Sequence, residues 1–271
     1  MTVRQMPISR PLITFRAPAR FGWVAPFGRD FGIVLAVIGA YFLLRGLAPT
    51  RIDLSLQVTA FIVELERSLY LFWEPEIQSV SIQSHAVQEV ANFVYAYLHF
   101  PVLALVGGWL WFRGRERFLF MRDVMFVSMV IGIVFYYAVP AAPPRLMAAH
   151  GQDLGFVDTV FGGNTSVQYA QPSFILNEYA AIPSFHFGWI ALASAAVWIN
   201  TSNRALRALA VLLSVLMTWA IVASANHFFF DMVLGGIVIL AAWQVAKRIE
   251  RWRSLRSATP LILPAAMPRA A

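Results

Sequence analysis

The sequence predicts an all-α fold, a polytopic membrane helical bundle of six transmembrane helices with one further amphipathic helix at the interface. Three observations carry this. Of 271 residues, 59% are hydrophobic and 13% charged, where a soluble domain carries roughly 25% charged residues. The apolar residues run in stretches near the roughly 20 residues a helix needs to cross a bilayer. The Lys and Arg residues collect at the ends of those stretches, so the net charge of +7 reads as membrane topology and not as a nucleic-acid footprint.

Taken in order, the spans fall at 31–47, 87–112, 124–139, 186–200, 206–223 and 229–246. The leader ahead of the first, about thirty residues, is long for a signal-peptide n-region. Gly46-Leu47-Ala48 offers a cleavage match, but Pro49 would follow the scissile bond, so the first span is read as retained. All but Arg45, Arg51, Arg67 and Arg145 of the 21 Lys and Arg residues fall on one side of this arrangement. By the positive-inside rule both termini are cytoplasmic, in a cell membrane crossed several times. The chain then divides into a basic cytoplasmic tail (1–29), a six-span membrane domain (30–247) and a second cytoplasmic tail (248–271), with segment 48–86 and loop 140–185 facing outward. In segment 48–86 the text IDLSLQVTAFIVELERSLYLFWEPEIQSV keeps a helical apolar rhythm interrupted by Glu64, Glu66 and Arg67. This predicts an amphipathic helix lying at the interface as a scaffold or lid, or as part of an acceptor pocket.

Three polar clusters sit at span ends, and the topology puts all of them at the outer surface. In ASANHFFFDMVLGG, His227 and Asp231 are spaced i, i+4 and share a helix face. An aspartate beside a histidine holds one ring nitrogen and orients the other as base or nucleophile, and a buried aspartate in a membrane bundle is usually functional. In IPSFHFGW, Pro183-Ser184 suits a helix start with Ser184 as N-cap, and His186 opens the helix. Unpaired amides at such a start suit a phosphate. In YYAVPAAPPRLM, Arg145 is the only arginine of loop 140–185, and its guanidinium matches phosphate oxygens bidentately. One Arg, two His and one Asp from three spans on one membrane face make a set for phosphoryl transfer. A different reading uses the intramembrane histidines His99, His186 and His227 as haem ligands or in a proton-coupled carrier. Cysteine is absent, so thiolate sites are excluded, and no carboxylate cluster near the histidines suggests a metal; no cofactor is expected.

At these residues the sequence resembles the type 2 phosphatidic-acid phosphatase superfamily, and within it the branch of inositolphosphotransferases such as inositol-phosphorylceramide synthase. The matching text is APPR at 142–145, AAIPSFHFGW at 180–189 and ANHFFFDMVLGG at 225–236, with weaker similarity at 92–102 and 66–78. The resemblance implies that His227 is a nucleophile forming a phosphohistidine, that Asp231 orients it, that His186 protonates the leaving alcohol and that Arg145 binds the phosphate. The substrate would be a membrane phospholipid or polyprenyl phosphate, handled at the extracytoplasmic face by hydrolysis or by transfer between lipids. The sequence departs from the family pattern at four places. Ala138 stands where a lysine is usual, Leu146 for proline, Phe185 for glycine and Ile221 for arginine. Two cationic phosphate ligands are therefore missing, and Ser184, Asn226, Tyr137 or helix amides are the local candidates to replace them.

Overall fold

Long apolar stretches become helices because a backbone in lipid must satisfy its own hydrogen bonds. The computed structural model describes residues 22–162, 165–167, 172 and 174–258; within them it has nine α-helices, two short 3-10 turns and no strand. The helices are α1 (Val24–Gly46), α2 (Ile52–Ser68), α3 (Glu74–Ser81), α4 (His85–Tyr97), α5 (His99–Arg113), α6 (Arg115–Ala138), α7 (Phe185–Asn200), α8 (Arg204–Ala223) and α9 (Phe229–Ala258). Among the described residues four helices, α1, α6, α8 and α9, are long and apolar enough to cross a membrane, and α4 with α5, bent by 49° at their junction, is so only when the two are taken together. This is the pattern of a multi-pass membrane protein. At 16 residues, α7 falls short of that length.

The bend has a local cause. Pro101 lies in the first turn of α5, lacks an amide hydrogen, and its ring crowds the carbonyl four residues back, which is that of Tyr97, the last residue of α4.

Three helices run past their expected ends; α6 opens at Arg115, and α1 and α9 are extended too. α1 starts early enough to carry Asp30, 1% exposed, which accepts from Arg115 Nε at 2.5 Å and Nη2 at 2.7 Å and from Trp111 Nε1 at 3.1 Å. α9 continues through Ala258, and its Arg253 pairs with Asp123 of α6. Both ties lie at the arginine-rich end of the bundle. Most of the two tails named above, 1–21 and 259–271, lies outside the described residues.

Segment 48–86 forms two helices, not one. α2 buries Ser55, Thr59, Ile62, Val63 and Glu66, a stripe at helical spacing. It ends where Tyr70 takes a φ of 57°, with Leu71 N donating to Glu66 O and Tyr70 N to Arg67 O, the paired bonds that close a helix C-terminus.

The main core joins α6, α7 and α9 through Val124, Met129, Trp189, Leu192, Ile239 and Ala242. Glycine allows the closest approaches. A Cβ on Gly235 of α9 would stand 2.4 Å from the Ser184 carbonyl oxygen, and one on Gly132 of α6 would stand 2.3 Å from the Phe185 ring.

Candidate active site

Backbone hydrogen bonds draw the three polar clusters to one end of the bundle. Ala141 N donates to Tyr179 O at 2.9 Å and Ala181 N to Ala141 O at 3.3 Å; Arg145 N donates to Ala225 O at 2.9 Å and Ser184 N to Asp231 O at 3.0 Å. From outside, Thr59 of α2 both donates to Ala142 O and accepts from Ala142 N. The α8–α9 turn places Ala225 at a φ of 53°, a left-handed conformation that costs a non-glycine residue about 1–2 kcal/mol. The same paired closing bonds hold it, Asn226 N to Ile221 O and Ala225 N to Val222 O.

That turn delivers His227 beside α9. Its Nδ1 lies 3.2 Å from Asp231 Oδ2, which also accepts from Phe228 N at 3.0 Å. Asp231 is fully buried, and its Oδ1 has no partner. With Nδ1 turned to the carboxylate, Nε2 is the ring nitrogen left for chemistry. His186, in the first turn of α7, has its ring centroid 5.7 Å from that of His227 and 4.5 Å from those of His99 and Tyr95. His186 Nε2 and His99 Nδ1 are buried without a hydrogen-bond partner among the described residues. All three histidines line a cavity of about 80 Å³, together with Tyr95, Arg145 and Asn226.

Arg145 is 7% exposed and already engaged. It donates from Nε to Asn226 Oδ1 at 3.1 Å, from Nη1 to Asp158 at 3.0 Å and from Nη2 to Glu178 at 3.0 Å, and it lies 4.2 Å over the Phe161 ring. Glu178 is on the cavity wall, and its side chain is 37% exposed. A phosphate entering there competes with carboxylates for the guanidinium.

Residues 60–245 match the PAP2 superfamily. The chain belongs to that superfamily. It is also 26% identical, over 204 residues, to the phosphoinositol dihydroceramide synthase of Bacteroides thetaiotaomicron. That match covers 68% of this chain and 65%, just under two thirds, of the relative. No solved structure matches the chain significantly.

The structure places three of this chain's four departures from the PAP2 pattern. Phe185, in place of the motif glycine, stacks on Trp189 at 5.0 Å and 7° and fills the space left by Gly132. Ile221, where an arginine is usual, is fully buried in apolar core, and only its carbonyl serves the site by accepting from Asn226 N and His227 N. Ala138 closes α6 away from the cavity, beside Leu44 and Ile133.

The four residues expected on the substrate are not all brought together. Arg145 and Asn226 line the cavity, but Asn226 spends Oδ1 on Arg145 and its amide hydrogens on Ser224. Ser184 occupies the N-cap position of α7 without capping it; it is fully buried with a free Oγ. Tyr137 is displaced from the site. It is exposed, its hydroxyl donates to Leu44 O at 3.1 Å, and it lines a different groove. One residue back, Tyr136 takes the inward face and pairs with Tyr41 at 2.8 Å, because neighbours on a helix point about 100° apart.

The sequence reading missed three contributors. Arg45, in the last turn of α1, lines the cavity and donates to Asn177 O at 2.9 Å. Its cue was a lone arginine at the end of an apolar span, apart from the main groups of basic residues. The others are Glu66 and Glu74, which accept from the first amides of α9, Phe230 N at 2.6 Å and Phe229 N at 2.8 Å. Burial, then the neighbouring Glu74 carboxyl, pushes the Glu66 carboxyl up to about 9; burial also raises Glu74.

Proposed function

We propose that this chain is a membrane-embedded lipid phosphotransferase that moves a phosphoinositol-type headgroup from one lipid alcohol to another through a phosphohistidine on His227. The observation that carries this is the convergence of the His227–Asp231 pair, the unpartnered Nε2 of His186 and the guanidinium of Arg145 on one small cavity. Membership of the PAP2 superfamily and the phosphoinositol-handling relative support it.

In the first half-reaction His227 Nε2 attacks the donor phosphorus while Nδ1 keeps its proton, shared with Asp231. The bond from phosphorus to the lipid alkoxide breaks, and protonated His186 gives that oxygen a proton. In the second, His186 takes the proton of the acceptor hydroxyl, the acceptor oxygen attacks phosphorus, and the phosphorus–nitrogen bond breaks to restore His227. Arg145, with Arg45 as a second cation in place of the missing motif residues, stabilises the phosphoryl oxygens. A water in the acceptor's place turns the same cycle into hydrolysis. The haem reading finds no support in this geometry, because the three imidazoles pack against one another around a cavity of about 80 Å³.

The same reading takes α7 as the sixth span and sets the site at the outer face, with segment 48–86 at the interface and the tails in the cytoplasm. It is supported by Arg29 and Arg113, at the ends of α1 and α5 opposite those that line the cavity, and by Arg122, Arg204 and Arg253, toward the ends of α6, α8 and α9 remote from residues 141–145 and 226–227. The test is incubation of the purified protein with headgroup-labelled phosphatidylinositol and a ceramide, and separately with phosphatidic acid and a polyprenyl phosphate. Label in a new phospholipid, lost in His227→Ala, is expected. Water-soluble label alone would assign hydrolysis, and turnover by the folded His227→Ala protein would overturn the mechanism.

A further inference from the structure

Two buried acids take no part in the cycle above. Glu66, near the end of α2, and Glu74, at the start of α3, are 2% and 0% exposed. Together with Asp231 they cap three successive amides at the head of α9: Phe228 N goes to Asp231, Phe229 N to Glu74 and Phe230 N to Glu66. The first amides of a helix have no partner inside it, and negative charge is favoured there. Three full charges in one dry pocket are another matter. The second oxygens of Glu66 and Glu74 are buried and receive no other donor among the described residues, and each carboxyl is the other's side-chain hydrogen-bond partner. A single proton between them gives both oxygens a partner.

We propose that Glu66 and Glu74 are positioning residues, a carboxyl–carboxylate pair sharing one proton, which clamps the first turn of α9 and thereby fixes Asp231 against His227. The role rests on the phosphotransferase reading for what His227 does, but the clamp itself is testable without turnover.

The clamp couples the outer segment to the chemistry. α2 also brackets Ala142 through Thr59, so one helix holds both the Arg145 loop and the start of α9. Besides each other, the titratable group facing both acids is Asp231, with His227 beyond it. Arg67, next to Glu66 in sequence, lies over the Phe72 ring instead, at 4.9 Å, and Trp219 of α8, which reaches α3 at Ser81, is uncharged. When the shared proton is lost, two anionic acceptors confront each other with no cation between them. With Glu66 raised from 4.5 to about 9, the folded form holds a proton that the unfolded chain has released across that interval. Stability is therefore full below it and falls as pH rises through it.

The experiment compares wild type with Glu66→Gln, Glu74→Gln, the double Gln variant and Glu66→Ala, reading turnover and the unfolding temperature against pH. A glutamine keeps the acceptor for the α9 amide and offers an N–H that no base removes, so one Gln stands in for the shared proton. Glu66→Ala is expected to lose about tenfold or more in kcat, the consequence of an orphaned buried amide and acid. Glu66→Gln should recover most of that loss and abolish the fall in unfolding temperature expected of wild type between pH 4.5 and about 9. The double Gln variant, with two donors face to face, should again be impaired. Equal pH dependence of unfolding in wild type and Glu66→Gln overturns the proposal, as does a Gln variant no better than Ala. Should Glu66→Ala fail to fold, the isosteric Glu66→Gln comparison decides alone. If wild type transfers no headgroup, or His227→Ala remains active, the phosphotransferase reading fails, and the unfolding profile still tests the clamp.

Discussion

Replacing Gly235 by alanine adds one methyl group at the contact between α7 and α9. The new carbon would lie 2.4 Å from the Ser184 carbonyl oxygen, 3.2 Å from its carbon and 3.4 Å from its nitrogen. All three are backbone atoms, so no side-chain rotation relieves the clash, and restoring ordinary contact needs the helices to part by about 1 Å. The Ser184 N to Asp231 O bond, 3.0 Å in the native arrangement, then opens to about 4 Å, beyond hydrogen-bonding range. Overpacking of this kind costs about 1–3 kcal/mol, with about 1 kcal/mol more for the lost bond. The larger effect is on rate: His186 rides on α7 while His227 is held by Asp231 of α9, and a shift of about 1 Å between reacting groups can lower kcat by about 10²-fold. The assay is initial rate on lipid in mixed micelles, with the unfolding temperature measured alongside. Gly236→Ala is the control, since its added carbon meets only the Phe187 ring at 3.6 Å and should leave the rate intact. Full kcat in Gly235→Ala, or an equal loss in both variants, would refute the reasoning.

Further outcomes follow from the same geometry. Asp231→Asn keeps one acceptor oxygen but removes the charge and puts an NH2 donor in place of the other oxygen, so the His227 tautomer is no longer fixed, and kcat should fall at least about 10²-fold while detergent-solubilised protein remains folded. Arg45→Gln should raise KM for the phosphate-bearing lipid about tenfold or more, the scale of one charge-assisted contact, with a smaller change in kcat. Glu178→Ala frees one arm of Arg145; because the carboxylate is partly exposed, the gain is modest, about 0–1 kcal/mol, read as a lower KM. Phe185→Gly restores the superfamily's usual residue yet removes the ring stacked on Trp189 and leaves a void over Gly132, so it should destabilise the protein by about 3–5 kcal/mol in a denaturation series.

Helix-scale features were legible because they repeat locally. The apolar runs mark α1, α6, α8 and α9, and the i, i+4 spacing of His227 and Asp231 becomes a contact of 3.2 Å. Contacts that depend on which distant elements meet were not. Glu64 and Glu66 read alike in the sequence, as interruptions of one rhythm. Two positions apart on a helix, they point to nearly opposite sides, so Glu64 is exposed and Glu66 buried beneath α9. Tyr137, one of the local candidates, stands next to Tyr136, and which of the two faces inward is decided by the packing of α6 against Tyr41. The carboxylates on Arg145 come from a loop without periodicity, where local pattern carries no signal.

The brevity of α7 sets how deep the reaction lies. Its 16 residues reach about 24 Å at 1.5 Å per residue, against a hydrocarbon layer of about 30 Å. If its Asn200 end stands at the cytoplasmic boundary, His186 is sunk several ångströms below the opposite one. At such a depth water is scarce, while hydroxyls carried on lipids are abundant. On the proposed mechanism, the short helix thus biases the fate of a phosphorylated His227 toward a membrane-resident alcohol, without any residue having to tell an alcohol from water.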